Sequence, residues 1–332
     1  MNLADVRVLV TGGAGFIGSE VVRQLCEQKA CVTVLDNFSS GRREYIEGFD
    51  DLSVFKGDIC DESDVSEALK DQELVIHMAA LPFIPDSYHF PQEFFRVNTI
   101  GTINLLWGSI QSEIVERFVN ISTSEVYGTA KYVPMDEDHP TLPHSTYAVS
   151  KLAGDRAVFT MHKEHNFPVV IIRPFNSFGP NITQPYIIPE IVLQLLNGNR
   201  VLHLGNVESS RDFTYVTDTA RGILLALSEE RAVGETINLG RGEDTKIKDL
   251  AFLIAELMGE KIGIETDPTR LRPYDVEQLY CSNRKAEKLL GWNPDVSLED
   301  GLRTTIDWIK ENGVHFNDPF KGWTSTYNLR RN

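Results

Sequence analysis

Residues 6–18 read VRVLVTGGAGFIG, and this stretch decides the fold. Val6–Val10 is too continuously apolar to be a half-exposed strand, so it suits a strand buried in a parallel sheet. Gly12, Gly15 and Gly18 follow it, and Val21, Val22 and Leu25 then recur at helical spacing. Glycines at a strand–helix junction permit a tight turn, close approach of backbone to a pyrophosphate, and close helix–strand packing. The helix N-terminus adds unpaired N–H groups and partial positive charge. Phe16 and Ile17 belong to the same expected dinucleotide loop.

A glycine triplet alone is equally good turn chemistry. The next apolar run, Cys31–Leu35, decides between the two readings because it ends at Asp36. A carboxylate there accepts both hydroxyls of an adenosine ribose and repels a 2′-phosphate, which predicts NAD rather than NADP. Arg42 and Arg43 read as surface residues or pyrophosphate neighbours.

Working outward, apolar runs recur at residues 53–55, 74–77, 117–121 and 169–173, with helical stretches at 61–70, 92–111 and 145–165 between them. This alternation predicts an α/β fold, a doubly wound parallel sheet with helices on both faces. Residues 174–189 read as a long loop. The remaining helices (187–196, 217–227, 246–258, 283–290, 298–312) and short strands (201–204, 235–239, 263–265) suggest a smaller C-terminal α/β lobe. The expected division is 1–175 for the cofactor domain, with later segments crossing back, 176–314 mainly for the substrate lobe, and 315–332 as a tail.

The chain has 332 residues, of which 42% are hydrophobic and 24% charged, so a disordered or collagen-like protein is excluded. The formal charge of −16 argues against nucleic acid or an anionic membrane as partner. No apolar run is long enough for a membrane helix, and the N-terminus lacks a leader pattern. Cys26, Cys31, Cys60 and Cys281 have no metal-ligand spacing; reduced thiols, a cytoplasmic location and no metal site are expected.

Tyr147 and Lys151 stand one helical turn apart, where an ammonium favours a phenolate and lowers the phenol pKa. Ser122, Thr123, Ser124 and Glu125 follow the fifth expected strand, at the sheet edge where ligands collect. His77, near the end of an apolar strand, reads as a packing or hydrogen-bonding residue.

The motifs TGGAGFIG, LDNFSSG, HMAA, RVNTIGT, STSEVYG, YAVSK, RPFNSFGP and RDFTYVTD occur in this order. Together they resemble the extended short-chain dehydrogenase/reductase family acting on nucleotide sugars. The resemblance implies a Rossmann domain with a smaller nucleotide-sugar lobe, tightly held NAD, and a homodimer formed through a four-helix bundle. It implies that Gly12, Gly15 and Gly18 hold the pyrophosphate. Asp36, Asn37, Ser40 and Gly41 would surround the adenosine ribose, and Asp58 and Ile59 the adenine. Ala79, Ala80, Asn98 and Ser122 would line the cofactor path, with Phe175 near the nicotinamide. Tyr147 would be the base for the sugar 4-hydroxyl, Lys151 would hold the nicotinamide ribose, and Thr123 would bond O4. Asn176, Arg211, Arg272 and Glu277 would bind substrate, the arginines at the diphosphate.

These enzymes share oxidation at sugar C4 and differ in the steps after it. Thr123-Ser124-Glu125 resembles the 4,6-dehydratases, in which Glu125 would take the C5 proton and help the 6-hydroxyl leave. The longer context is most similar to NAD-dependent UDP-N-acetylglucosamine 4,6-dehydratases of the legionaminic acid type. A UDP-sugar 4-epimerase, a UDP-glucuronate decarboxylase, and an NAD-binding regulatory protein without turnover remain as alternatives.

Overall fold

The computed structural model describes residues 1–49 and 52–314, together with Phe316 and Phe320. The expected tail, 315–332, otherwise lies outside the described residues. The strands are β1 Arg7–Thr11, β2 Cys31–Asp36, β3 Leu52–Lys56, β4 Leu74–His77, β5 Arg117–Ile121, β6 Val169–Pro174, β7 Asn176–Phe178, β8 Val201–Leu204, β9 Ser210–Arg211, β10 Phe213–Tyr215, β11 Thr236–Leu239, β12 Thr245–Lys246 and β13 Gly263–Thr266. The α-helices are α1 Phe16–Glu27, α2 Glu62–Ala68, α3 Ile84–Ser87, α4 Pro91–Phe95, α5 Thr102–Gln111, α6 Thr146–His165, α7 Ile187–Leu196, α8 Val216–Ser228, α9 Ile247–Leu257, α10 Arg284–Leu290 and α11 Leu298–Asn312.

Seven strands form one parallel sheet in the order β11-β6-β5-β4-β1-β2-β3. Side chains alternate between its faces. Val8, Val10, Ile76 and Val119 pack with residues of α1, α8 and α10 on one side. Leu9, Val75, Phe118 and Ile171 pack with residues of α2, α5 and α6 on the other. Burial on both faces explains why the strands read as continuous apolar runs.

Three segments grouped by sequence order with the smaller lobe, α8, β11 and α10, return to this sheet. The β11 strand extends the edge beside β6, with Thr236 opposite Ile171, and α8 packs into the core that also contains α1. Ile237 and Leu239 are fully buried there, which gives this short run its reason to leave the lobe. The expected loop at 174–189 also contains β7, which pairs in parallel with β10. The smaller lobe has its own core, built from Ile191, Leu202, Leu250, Ile254 and Leu302 among others.

The expected helix at 92–111 is interrupted. Between α4 and α5, Arg96–Gly101 widens into a π-helical segment. Asn98 within it is buried and bonds elsewhere: Leu81 N–H donates to Asn98 Oδ1 at 2.8 Å, and Asn98 Nδ2 donates to Leu81 O and to Ser150 Oγ. The π-segment therefore anchors the loop after β4 to α6.

His77 ends β4 between the Thr11 and Thr102 hydroxyls, 2.8 Å from each. Burial lowers its pKa from 6.5 to about 3, with the Lys151 charge adding to the effect. Below pH 6.5 the unfolded chain takes a proton that the folded chain refuses, so stability is present above that pH and is lost as pH falls toward 3. The maximal slope for this one proton is about 1.4 kcal/mol per pH unit. Urea unfolding between about pH 7 and pH 4 is expected to give a shallower acid slope for His77→Gln than for wild type; equal slopes would contradict this reading.

Candidate functional site

The loops at the carboxyl ends of the sheet strands and the inner face of the smaller lobe enclose a cavity of about 400 Å³. At one end Gly12 lies in the left-handed region, with φ 71°, and a Cβ on it would meet Ala79 N at 2.7 Å. A Cβ on Gly18 would stand 2.1 Å from Gly12 O, so α1 approaches the turn only because no side chain intervenes. Gly15 caps α1 with no side-chain hydrogen bond, and the first helical turn contains no acid. These features fit a dinucleotide pyrophosphate.

Asp36 is buried, and both its oxygens are held by backbone. Ala14 N–H donates to Oδ2 at 3.0 Å and Phe38 N–H to Oδ1 at 2.8 Å. Burial raises its pKa while these two bonds oppose the shift. The carboxylate lines the cavity with Asn37, Ser40, Gly41, Asp58 and Ile59. Arg42 pairs instead with Glu44 and lies over the Tyr45 ring. Ser122 Oγ and Asn176 Oδ1 are buried without a hydrogen-bond partner although their residues line the cavity, as expected of groups that await a ligand.

The centre of the cavity is formed by the turn after β5 and the start of α6. Thr123 caps the 3₁₀ turn Ser124–Tyr127, accepting from Glu125 N–H at 3.2 Å. The same hydroxyl acts to lower the Tyr147 pKa, and the Glu125 carboxylate acts on that phenol in the opposite direction. Glu125 is half-buried and lines the cavity. Lys151 is buried and donates from Nζ to Ile121 O at 2.6 Å.

The expectation that the lysine lowers the tyrosine pKa is not met by the protein's own groups. Burial pushes Tyr147 up to about 12; the Thr123 bond lowers it and the Glu125 charge raises it. Burial also brings Lys151 down to about 8, against the opposing pull of Asp155. Desolvation penalises the charged form of both groups and outweighs the helical-turn spacing on which the expectation relied.

At the far end, Arg211 and Arg272 approach Asp275, each at 3.5 Å. Burial lowers the Arg211 pKa, and the Glu125 charge opposes that shift. Two guanidiniums gathered in a cleft of a strongly acidic protein suit a diphosphate. Glu190 pairs with Arg270 still further along the cavity wall.

Most of the expected site residues line this one cavity. Three do not. Asn98 acts behind the wall, through Leu81. Ser124 is buried in the turn outside the lining, and Glu277 is exposed, with its N–H bonded to Thr129 Oγ1. Sequence reading did not find Asp275, Glu190 or the apolar wall of Pro82, Phe83 and Ile84. The spacing of Arg272 and Asp275 offered a signal for the first; the wall carries no local one.

Residues 9–305 match the family model described as GDP-mannose 4,6 dehydratase. The chain is 31% identical to UDP-glucuronic acid decarboxylase 1 of Xenopus tropicalis, over 93% of this chain and 73% of that protein. The structure of an epimerase from Methanothermobacter thermautotrophicus matches with a TM-score of 0.88 at 33% identity, covering 93% of this chain and 94% of the other. A dTDP-glucose 4,6-dehydratase from Streptomyces venezuelae, solved as a double mutant with NAD and DAU bound, matches at a TM-score of 0.86 and 31% identity, covering 92% and 98%.

The fold and the cavity are those of a dinucleotide-binding parallel-sheet enzyme with a second, smaller lobe. The chain belongs to the extended short-chain dehydrogenase/reductase family of NAD-dependent epimerases and dehydratases. Relatives named for three different reactions are almost equally similar, so family membership leaves the particular reaction to be argued from the site.

The glycine loop gives a direct test. Gly18→Ala places a methyl against Gly12 O. It is expected to weaken NAD⁺ binding by at least about tenfold in calorimetric titration, as a loss of close backbone approach should. An unchanged Kd would contradict the assignment of this turn to the pyrophosphate.

Proposed function

We propose that this protein is an NAD-dependent nucleotide-sugar 4,6-dehydratase acting on a UDP-sugar, with a UDP-N-acetylhexosamine as the expected substrate. The observation that carries the reading is Glu125. Its carboxylate lines the cavity on the turn that bears Thr123, within electrostatic reach of Tyr147 and Arg211.

In this reading residues 1–175 hold the cofactor, with α8, β11 and α10 crossing back, and residues 176–314 mainly hold the nucleotide sugar. Gly12, Gly15, Gly18 and Asp36 bind NAD, while Arg211 and Arg272 bind the diphosphate. When bound, NAD⁺ supplies a positively charged ring that favours the phenolate, accepts hydride from C4 and returns it to C6. Thr123 holds the 4-hydroxyl, and Tyr147 takes its proton as hydride departs. Lys151, whose Nζ donates to Ile121 O, would hold the nicotinamide ribose. The resulting 4-ketone acidifies the C5 proton, which Glu125 removes. The same carboxyl group then gives a proton to the 6-hydroxyl, which leaves as water. C5 would then regain a proton from solvent, and the product would be a 4-keto-6-deoxy sugar nucleotide.

Phe95, Ile100, Trp107 and Val149 remain exposed on the α4–α5 and α6 face. This apolar set supports a homodimer through a four-helix bundle. Among the described residues no helix is long and apolar enough to cross a membrane. The four free thiols suit a cytoplasmic setting, which forms part of the proposal.

Product mass tests the reading. Purified protein with NAD⁺ and a panel of UDP-, GDP-, dTDP- and CDP-sugars is expected to remove one water from a UDP-N-acetylhexosamine. Glu125→Gln is expected to slow that loss by about a hundredfold or more while cofactor binding persists. Loss of carbon dioxide from UDP-glucuronate instead would move Glu125 to a decarboxylase. An isomer of unchanged mass would leave a 4-epimerase and remove elimination from the account.

A further inference from the structure

The dehydratase reading places two chemistries on neighbouring carbons of one bound sugar. Tyr147 acts at C4 from helix α6, and Glu125 acts at C5 from the turn after β5. Their separation must be held closely, since a misplacement of about 1 Å costs on the order of a hundredfold in rate. On the cavity side, Thr123 and Glu125 both act on the Tyr147 phenol, in opposite directions.

A tie lies behind them. Asp155 is on α6, one turn beyond Lys151, and Tyr127 is the last residue of the turn that carries Glu125. Arg173, on β6, joins the two. Its Nε and Nη2 donate to the Asp155 oxygens at 2.9 and 3.1 Å, and its Nη1 donates to Tyr127 Oη at 2.9 Å. The guanidinium also lies 4.9 Å from the Tyr127 ring centroid. Tyr127 O–H donates in turn to Asn238 Oδ1 at 2.8 Å, and Asn238 Nδ2 donates to Met135 O. Tyr127, Asp155, Arg173 and Asn238 are all buried. A planar fork that spends two arms on one element and the third on another defines direction as well as distance, which a lysine cannot do.

We infer that Arg173, through Asp155 and Tyr127, is a positioning residue that sets the elimination carboxylate Glu125 against the oxidation pair Tyr147 and Lys151. The inference rests on the dehydratase reading. Tyr127 is the informative handle, because its hydroxyl ties the Glu125 turn to Arg173 while the Arg173–Asp155 pair holds α6 without it. Losing that hydroxyl should loosen Glu125 and leave the C4 chemistry in place.

The test is single-turnover kinetics of the NAD⁺-loaded protein with nucleotide sugar, comparing wild type, Tyr127→Phe and Arg173→Lys, each checked for native circular dichroism. Reduced nicotinamide absorbance follows C4 oxidation, and product mass follows water loss. Tyr127→Phe is expected to keep oxidation within about threefold of wild type, to slow water loss by about tenfold or more, and to accumulate reduced cofactor. A substrate deuterated at C5 should then give a larger isotope effect on water loss than with wild type. Arg173→Lys should move the ratio of the two rates in the same direction. Equal slowing of both steps, a greater loss of oxidation, or no change in a folded Tyr127→Phe protein would overturn the inference. Failure of the dehydratase reading would be distinct, because wild-type protein would then remove no water from any sugar in the panel.

Discussion

The parallel direction of the seven strands is the constraint on which the site depends. Strands that all run one way place all their carboxyl ends at one edge of the sheet. The loops that leave β1, β2, β3, β4, β5 and β6 therefore open toward one space, and that space is the cavity. The glycine turn follows β1, Asp36 ends β2, Asp58 follows β3, Ala79 follows β4, Thr123 and Glu125 follow β5, and Phe175 follows β6. The strand order reverses between β1 and β4, where a doubly wound sheet leaves a crevice for a dinucleotide. Because β7 leaves this edge directly after β6 and pairs with β10, residues of the smaller lobe line the same cavity.

Burial both makes the site and restrains it. The wall that excludes water raises Tyr147 and lowers Lys151, so neither group is comfortable in the form that the chemistry uses. A tyrosine at about 12 is a poor base until positive charge is brought close to it. The proposed cofactor brings such charge, and proton removal is thereby coupled to a filled dinucleotide site. Arg211 follows the same logic, since burial weakens its hold on the proton while nearby carboxylates support it. An anionic substrate entering this cleft meets guanidiniums already gathered around Asp275.

The features legible in the sequence were local. The glycine turn, Asp36 and the Tyr147–Lys151 pair each reside in a few consecutive residues, and the structure places them together. The return of β11 to the main sheet was harder to read, because a four-residue strand carries no label for the sheet that will receive it. Asn98 falls in a motif that sequence reading assigns to the cofactor path, yet its amide is occupied by Leu81 and Ser150. Sequence spacing also could not anticipate that desolvation would dominate at Tyr147. The Arg173 tie was illegible for another reason: its partners lie in α6, in the turn after β5 and in β11, and only the folded sheet brings them within hydrogen-bonding distance.

The central claim is that Glu125 removes the C5 proton during turnover. The most direct measurement is NMR of the product formed in D₂O from a UDP-N-acetylhexosamine. The account predicts a 4-keto-6-deoxy product carrying solvent deuterium at C5, with formation of this labelled product suppressed in Glu125→Gln. A product that retains its original C5 hydrogen and its 6-hydroxyl would contradict the account, because the carboxylate beside Tyr147 would then take no part in proton removal.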